Sequence, residues 1–282
     1  MTLARILRSA SLRSAALAAT AALTFSTVAQ ADALADIKAR GKLTVGVEAG
    51  GTGAILAQKP DGTLIGQDAE LNAYVAKKLG VTLEMVPTAW PGIIPALLSS
   101  RFDMIMSGMT ATKARAEKVD FSEPYGDASL VAATLAGNAK LNGAADLPGT
   151  TIGVLLGTNT FDFVKKYNEK IAADGKPAMI VKTYDDIPSM ITDMTNGNID
   201  AFMLPHPIVG GYAAQRPGTF KIIEGLGDKS YFAVAMRKDE ASLLAAVNKA
   251  LEDAKADGTL AALQTKWLGA PTANLPATWQ QP

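Results

Sequence analysis

Arg115 stands in a setting that suits the binding of a planar anion. It follows Thr110 by five residues, and Thr110 ends a turn of small residues that begins at Ser107. The guanidinium can donate two parallel hydrogen bonds to a carboxylate, and a threonine hydroxyl can supply a further donor. The pair therefore indicates a carboxylate site. A solvated surface arginine is the alternative that spacing alone leaves open.

Two predicted elements lead into this turn and would position it. Apolar residues recur at helical spacing over 93–98, which predicts a helix with one face on a sheet. Residues 104–106 form a short apolar run of the length of a buried strand, and Gly108 follows its end. Open α/β sheets bind ligands beyond the carboxyl ends of their strands, so the turn lies where a ligand is expected.

The same stretch resembles the polar amino-acid (family 3) solute-binding proteins of ABC importers. The residues that carry the resemblance are Trp90, Ile94-Pro95-Ala96-Leu97, Phe102-Asp103, Gly108-Met109-Thr110, Thr112 with Arg115, and Phe121-Ser122-Glu123-Pro124-Tyr125. The resemblance extends over about residues 40–269. It implies that Arg115, Thr110 and Gly108 contact a small carboxylate ligand and that Trp90 covers one face of it.

The resemblance also implies the fold class and the domain organisation. The expected fold is α/β, the two-lobed periplasmic-binding-protein fold (Venus flytrap) of type II with a two-strand hinge. Lobe 1 is expected to be discontinuous, from 32–127 plus 229–270, with lobe 2 from 131–226 and a tail at 271–282. The alternation of strand and helix patterns in lobe 2 independently predicts a parallel sheet.

A second candidate anion site begins at Gly157 in lobe 2. Thr158, Asn159 and Thr160 follow it and are predicted to open a helix that begins near Phe161. The unpaired amides and the positive dipole end of a helix N-terminus attract an anion. Helix capping alone, for which asparagine is well suited, is the alternative, and both roles can hold together.

The loop after the first predicted strand, residues 43–47, supplies two further candidates. Glu48 occupies the place where relatives that bind cationic side chains carry an acid, so it either pairs a positive group or is solvated. Gly51 stands where the family usually has a bulkier residue, which opens space for a ligand or makes the loop flexible. Farther along, Asp68 is predicted to cap the helix that follows it.

One departure from the family pattern concerns the end of a strand in lobe 2. In members that bind α-amino acids this strand ends in an acid that pairs with the α-ammonium, but here it ends in Pro205, and 201–223 contain no Asp or Glu. We include the neighbouring His206 among the ligand contacts. Either the ligand has a carboxylate and no free α-ammonium, or Glu48, a carbonyl such as that of Gly108, or water holds an ordinary amino acid.

The first 31 residues have the pattern of a secretory signal peptide. Arg5, Arg8 and Arg13 form a basic front, residues 15–25 are apolar and small, and Ala29-Gln30-Ala31 matches an A-x-A cleavage site. The apolar core is short beside the ~20 residues of a membrane span, which makes an anchor the weaker interpretation. We therefore expect export to the periplasm without membrane insertion.

Composition excludes several classes of function. Removing 1–31 leaves 24 basic and 27 acidic residues, a net charge of −3, which argues against nucleic acid as a partner. The chain has no cysteine and one histidine, so neither a His/Cys zinc site nor a disulfide is expected. We expect a monomer without cofactor or metal that delivers its ligand to an ABC transporter permease.

Two rival functions use the same scaffold. The segments 86–91 and 101–108 also resemble cyclohexadienyl dehydratases, which would need a general acid in the cleft, and Glu48 is then the candidate. A ligand-sensing binding protein is the second rival. The sequence favours the binding component of an ABC importer, which is not an enzyme, over both.

Overall fold

The structure is a computed structural model that describes residues 32–48 and 53–279. The predicted signal peptide and Gly51 lie outside these ranges. The strands are β1 Lys42–Glu48, β2 Ala57–Gln58, β3 Leu64–Ile65, β4 Thr82–Thr88, β5 Met104–Ile105, β6 Val119–Phe121, β7 Gly126–Asp127, β8 Leu130–Leu135, β9 Thr151–Leu155, β10 Ile180–Tyr184, β11 Ala201–Pro205, β12 Phe220–Leu226, β13 Tyr231–Phe232 and β14 Ala235–Arg237. The α-helices are α1 Ala33–Arg40, α2 Gln67–Leu79, α3 Ile93–Leu98, α4 Lys113–Ala116, α5 Asn159–Ala173, α6 Ile187–Thr195, α7 His206–Gln215, α8 Ala241–Ala256 and α9 Thr259–Leu268.

The sheet of the first lobe has the strand order β4-β1-β5-β14-β6. β1 pairs in parallel with β4 and β5, whereas β14 is antiparallel to β5 and β6. Because β14 comes after the second lobe in sequence, both ends of the described chain contribute to this sheet. Helices α2 and α8 bury apolar faces beside it, with Leu71, Val75 and Val247 fully inaccessible to solvent.

The sheet of the second lobe has the order β10-β9-β11-β8-β12 and is mixed. β9 is parallel to β10 and β11, but β8 is antiparallel to β11 and β12. The parallel pairing predicted from the alternating strand and helix patterns is confirmed for β9, β10 and β11, whereas β8, where no strand was predicted, makes the sheet mixed. That strand carries the chain away from the first lobe, while the four others run back towards it, so the carboxyl ends of β9 and β11 face the first lobe.

The chain passes between the two sheets twice, at β7 and β13. These short strands pair antiparallel, with Tyr231 opposite Asp127 and Phe232 opposite Gly126. Two sheet-containing α/β lobes joined in this way confirm the predicted fold class. The exact lobe boundaries stay a prediction.

Two predicted helix starts are corrected. Asp68 is not the cap of α2, because Gly66 holds that position and the carboxylate of Asp68 is buried and bound elsewhere. Helix α5 begins at Asn159, with Thr158 at the cap, rather than near Phe161. None of the helices in 32–48 and 53–279 combines the length and the apolar character that crossing a bilayer requires.

Candidate functional site

A cavity lies between the lobes, at the carboxyl ends of β5, β9 and β11. It holds about 350 Å³ of space not filled by atoms, including its mouth. The first lobe lines it with Trp90, Ser107, Gly108 and Thr110, and the second with Leu155, Thr158, Asn159, Ile187, Leu204, Pro205 and Ile208. Both lobes therefore supply walls, which is a common setting for a small-molecule site.

The turn at Gly108 is held from behind by a buried carboxylate. The Gly108 N–H donates to Asp68 Oδ2 at 2.7 Å, and the Tyr125 hydroxyl donates to the same oxygen at 2.8 Å. Gly108 has φ +64°, a conformation that favours glycine. Burial raises the pKa of Asp68 to about 6 and that of Tyr125 well above its usual value. Asp68 thus positions the turn rather than a helix end.

Arg115 is bonded to Thr110, the residue that ends this turn. It is not among the residues that line the cavity, but it lines two pockets that share lining residues with it. It lies on the short helix α4, not on an open turn, and is 8% exposed. Its Nη1 donates to Thr110 O at 2.8 Å in its own lobe, and its Nη2 donates to Gly157 O at 3.3 Å in the second lobe. The guanidinium carbon lies 5.5 Å from the ring centroid of Trp90.

The Arg115 guanidinium is buried and donates to no carboxylate within the described residues. Burial lowers its pKa to about 10, and the charge of Asp162 partly opposes this, so the group stays charged at neutral pH. Its hydrogen bonds within the described residues go to neutral carbonyl oxygens. A carboxylate would be a stronger acceptor for the same donors.

The N-terminus of α5 forms part of the opposite wall. Thr158 and Asn159 line the cavity, and the Thr158 hydroxyl donates to Leu155 O at 2.6 Å within the turn. No side chain caps this helix end, so its first amides lack a side-chain acceptor. Thr160 is fully buried behind the lining, and its hydroxyl has no hydrogen-bond partner among the residues described.

The remaining candidates lie beside the cavity or away from it. Glu48 is 3% exposed at the end of β1, and its N–H donates to Ser107 Oγ at 2.9 Å. Burial and the charge of Glu48 raise the pKa of Tyr212 to about 12, which places the carboxylate near that phenol.

His206 is not brought to the cavity. Its side chain is 47% exposed, lies 3.8 Å from Glu224 through Nε2, and lines a separate surface pocket with Lys229 and Trp267. The physical reason is that His206 begins α7, and successive helical residues point about 100° apart. Pro205 lines the cavity, and the next residue is directed elsewhere.

The lobes also touch through two glycines: Gly157, at the start of the predicted anion site, and Gly211, which sequence reasoning did not single out. A Cβ at Gly157 would lie 3.1 Å from the Cα of Pro91, and one at Gly211 would overlap the backbone nitrogen of Ala54. Paired glycines at 210 and 211, which lie inside α7, are the signal that could have indicated a close approach.

Comparison with known proteins places the chain in a family. The family of bacterial extracellular solute-binding proteins, family 3, matches residues 43–270. An L-cystine-binding protein of Escherichia coli is 33% identical over 271 residues, which cover 96% of this chain and 98% of that protein. A probable histidine-binding protein of Campylobacter jejuni is 32% identical over 201 residues, 71% of this chain and 75% of that protein.

Solved structures agree with this assignment. A mutant of ArgBP from T. maritima superposes with a TM-score of 0.75 at 30% identity and covers 84% of this chain and 99% of that one. An ancestral amino acid-binding protein, described as a precursor of cyclohexadienyl dehydratase, superposes with a TM-score of 0.72 at 34% identity over 83% of this chain and 99% of that one. The chain belongs to family 3 of the bacterial extracellular solute-binding proteins.

Proposed function

We propose that this protein is the solute-binding component of an ABC importer and that it takes up a small carboxylate-bearing solute between its lobes. The observation that carries the proposal is Arg115, a buried cation beside the cavity. Its guanidinium donates, among the described residues, to the carbonyl oxygens of Thr110, which lines the cavity, and of Gly157. The relatives are named for cystine, histidine and arginine. A carboxylate is a group that all three amino acids share.

Closure of the lobes around the ligand is the second part of the proposal. Arg115 contacts Thr110 in one lobe and Gly157 in the other, so an anion bound by its guanidinium lies where both lobes can reach it. The connection through β7 and β13 is short and suits a hinge. We further propose export through residues 1–31 to the periplasm, a monomeric state, and delivery to a membrane permease.

Binding rather than catalysis is favoured by the chemistry of the lining. The dehydratase alternative requires a general acid or base at the ligand. The side chains that line the cavity within the described residues are apolar, hydroxyl or amide groups. Incubation with prephenate or arogenate tests this directly, and turnover that persists in repurified protein would support the enzyme.

The carboxylate site is tested by Arg115→Ala. We expect the dissociation constant for the tightest ligand, found by calorimetry from amino acids and organic acids, to rise by at least about 30-fold, since 2–5 kcal/mol is typical for removing one partner of a buried charge pair. Arg101→Ala removes an exposed guanidinium and is the matched control. An equal dissociation constant for Arg115→Ala and wild type would refute the proposal.

Closure is tested by two neighbouring glycines on α7. Gly211→Ala would force the helix away from Ala54, whereas a Cβ at Gly210 meets nothing within 4 Å. Both changes raise helix propensity by up to about 1 kcal/mol, so neither should unfold the chain. We expect weaker ligand binding, by tenfold or more, only for Gly211→Ala. Equal affinities in the two variants would contradict closure.

A further inference from the structure

Building on the proposed carboxylate function, we infer that the ligand has an apolar body and no free ammonium group. A 2-oxo acid or an N-acylated amino acid meets this description, and a zwitterionic α-amino acid does not.

The first observation is that no carboxylate lines the cavity. All 27 acidic residues of the chain fall within the described ranges, because residues 1–31, 49–52 and 280–282 contain no Asp or Glu. None of the 27 is among the residues that form the walls. A buried ammonium without a nearby anion is strongly disfavoured.

Two acids that lie next to lining residues, Asp68 beside Gly108 and Asp186 beside Ile187, are engaged in holding the protein together. Asp68 accepts from Gly108 N, the Tyr125 hydroxyl and Gln67. Asp186 caps α6 and accepts at both oxygens from Ser189, at 2.7 and 3.0 Å.

Two more acids are placed away from the lining. Asp200 lies at the far end of β11, where it accepts from Thr151 N at 2.7 Å. Glu48 lies near the phenol of Tyr212 and does not line the cavity. Asp162, whose charge acts on Arg115, lines a neighbouring pocket with it and not this cavity. None of these carboxylates is among the residues that line the cavity.

The second observation is the residue that β11 delivers to the cavity. The strand ends at Pro205, which has no side-chain acceptor, and α7 starts directly after it without a side-chain cap. Helix α5 also begins at the lining without such a cap. Two helix N-termini at one cavity create a positive potential, which favours a carboxylate and opposes an ammonium.

The third observation is the character of the remaining wall. Leu155, Ile187, Leu204 and Ile208 line it from the second lobe, and Trp90 lines it from the first. These side chains offer dispersion contacts and no acceptor for N–H groups. They fit an aliphatic or aromatic body attached to the carboxylate.

The test compares ligands that share one carbon skeleton. Calorimetry with L-leucine, 4-methyl-2-oxopentanoate and N-acetyl-L-leucine, and with L-phenylalanine and phenylpyruvate, isolates the ammonium. We expect at least one ammonium-free member to bind tenfold or more tightly than its amino acid. An amino acid that binds as tightly as its ammonium-free partners overturns the inference and leaves the carboxylate function standing. If the wider calorimetric search of amino acids and organic acids finds no ligand whose binding depends on Arg115, the proposed function fails, and this inference fails with it.

A gain-of-function pair tests the missing acid. Pro205→Asp places a carboxylate at the cavity, and Pro205→Asn is its uncharged match. Both residues are favoured helix caps, so α7 should be retained, and circular dichroism checks this. We expect Pro205→Asp alone to improve the affinity for L-leucine or L-phenylalanine by at least tenfold. No improvement in folded Pro205→Asp would overturn the inference.

Discussion

The buried carboxylate of Asp68 should make the free energy of unfolding depend on pH. Its pKa rises from 3.8 to about 6 on folding, chiefly because of burial. Between these two values the folded chain binds a proton that the unfolded chain does not. The contribution of Asp68 to the free energy of unfolding is therefore largest below pH 3.8 and is lost as the pH rises through 6. The Asp68 contribution to the free energy of unfolding is about 3 kcal/mol larger below pH 3.8 than above pH 6.

Asp68→Asn should remove this dependence while keeping the contacts. The amide oxygen can accept from Gly108 N and the Tyr125 hydroxyl, as Oδ2 does now. The amide nitrogen can donate to Gln67, whose Oε1 has no hydrogen-bond partner within the described residues and becomes available when that side-chain amide turns over. We expect Asp68→Asn to be more stable than wild type at pH 7, by up to about 3 kcal/mol, and similar to it near pH 4.

The assay is denaturant unfolding of both proteins at intervals between pH 4 and 7. The difference between the two curves isolates Asp68 from other acids, such as Asp193 and Asp257, whose pKa values of about 2 act in the opposite direction. Asp68→Ala is the control for lost contacts. It should be less stable than wild type by about 2–4 kcal/mol, because two buried donors lose their acceptor. Parallel curves for wild type and Asp68→Asn would refute the reasoning.

Three further changes probe the parts around this carboxylate and the cleft. Tyr125→Phe removes a donor to Asp68, so calorimetric or denaturant unfolding should show a loss of about 1–2 kcal/mol and an upward shift of the Asp68 pKa. Gly157 has a φ of +76°, and an added Cβ would press against Pro91. We therefore expect Gly157→Ala to lower the free energy of unfolding by about 1–2 kcal/mol and to weaken ligand binding at least tenfold by calorimetry. Unchanged stability together with unchanged affinity would contradict this. Trp279→Ala removes a ring contact with Phe121, at 5.4 Å between centroids, and should lower stability by about 0.5–1.5 kcal/mol while leaving ligand affinity unchanged.

Local sequence patterns predict many of the helices and strands correctly. The apolar run at 43–47 became the centre of β1, Gly80 ends α2 in the left-handed conformation, and Asp186 caps α6 as its position before an apolar periodic segment predicts. In each of these the physical cause lies within a few residues of the feature. Sequence periodicity and capping chemistry report such causes directly.

The features that sequence reasoning missed depend on partners far away in the chain. The local sequence predicts that Asp68 is a helix cap, because the sequence does not show that Gly108, 40 residues later, lies against it. A glycine at 211 lowers helix propensity, and its packing against Ala54 cannot be inferred from neighbouring residues. The antiparallel direction of β8 depends on where the chain enters the second lobe. Sequence patterns and residue propensities describe local preferences and do not predict these long-range contacts.

The geometry of Arg115 suggests why one residue could link binding to closure. One of its nitrogens is bound to Thr110 O and another to Gly157 O, so the guanidinium already joins the two lobes through neutral acceptors. A neutral carbonyl is a weaker partner for a buried cation than a carboxylate is. If the lobes close as proposed, a bound anion adds its energy at the contact that holds them together, and the ligand shifts the population towards the closed form by its difference in affinity for the two forms. A ligand without a carboxylate would then lose the part of this shift that comes from Arg115 and keep only the part that comes from contacts of its body with both walls.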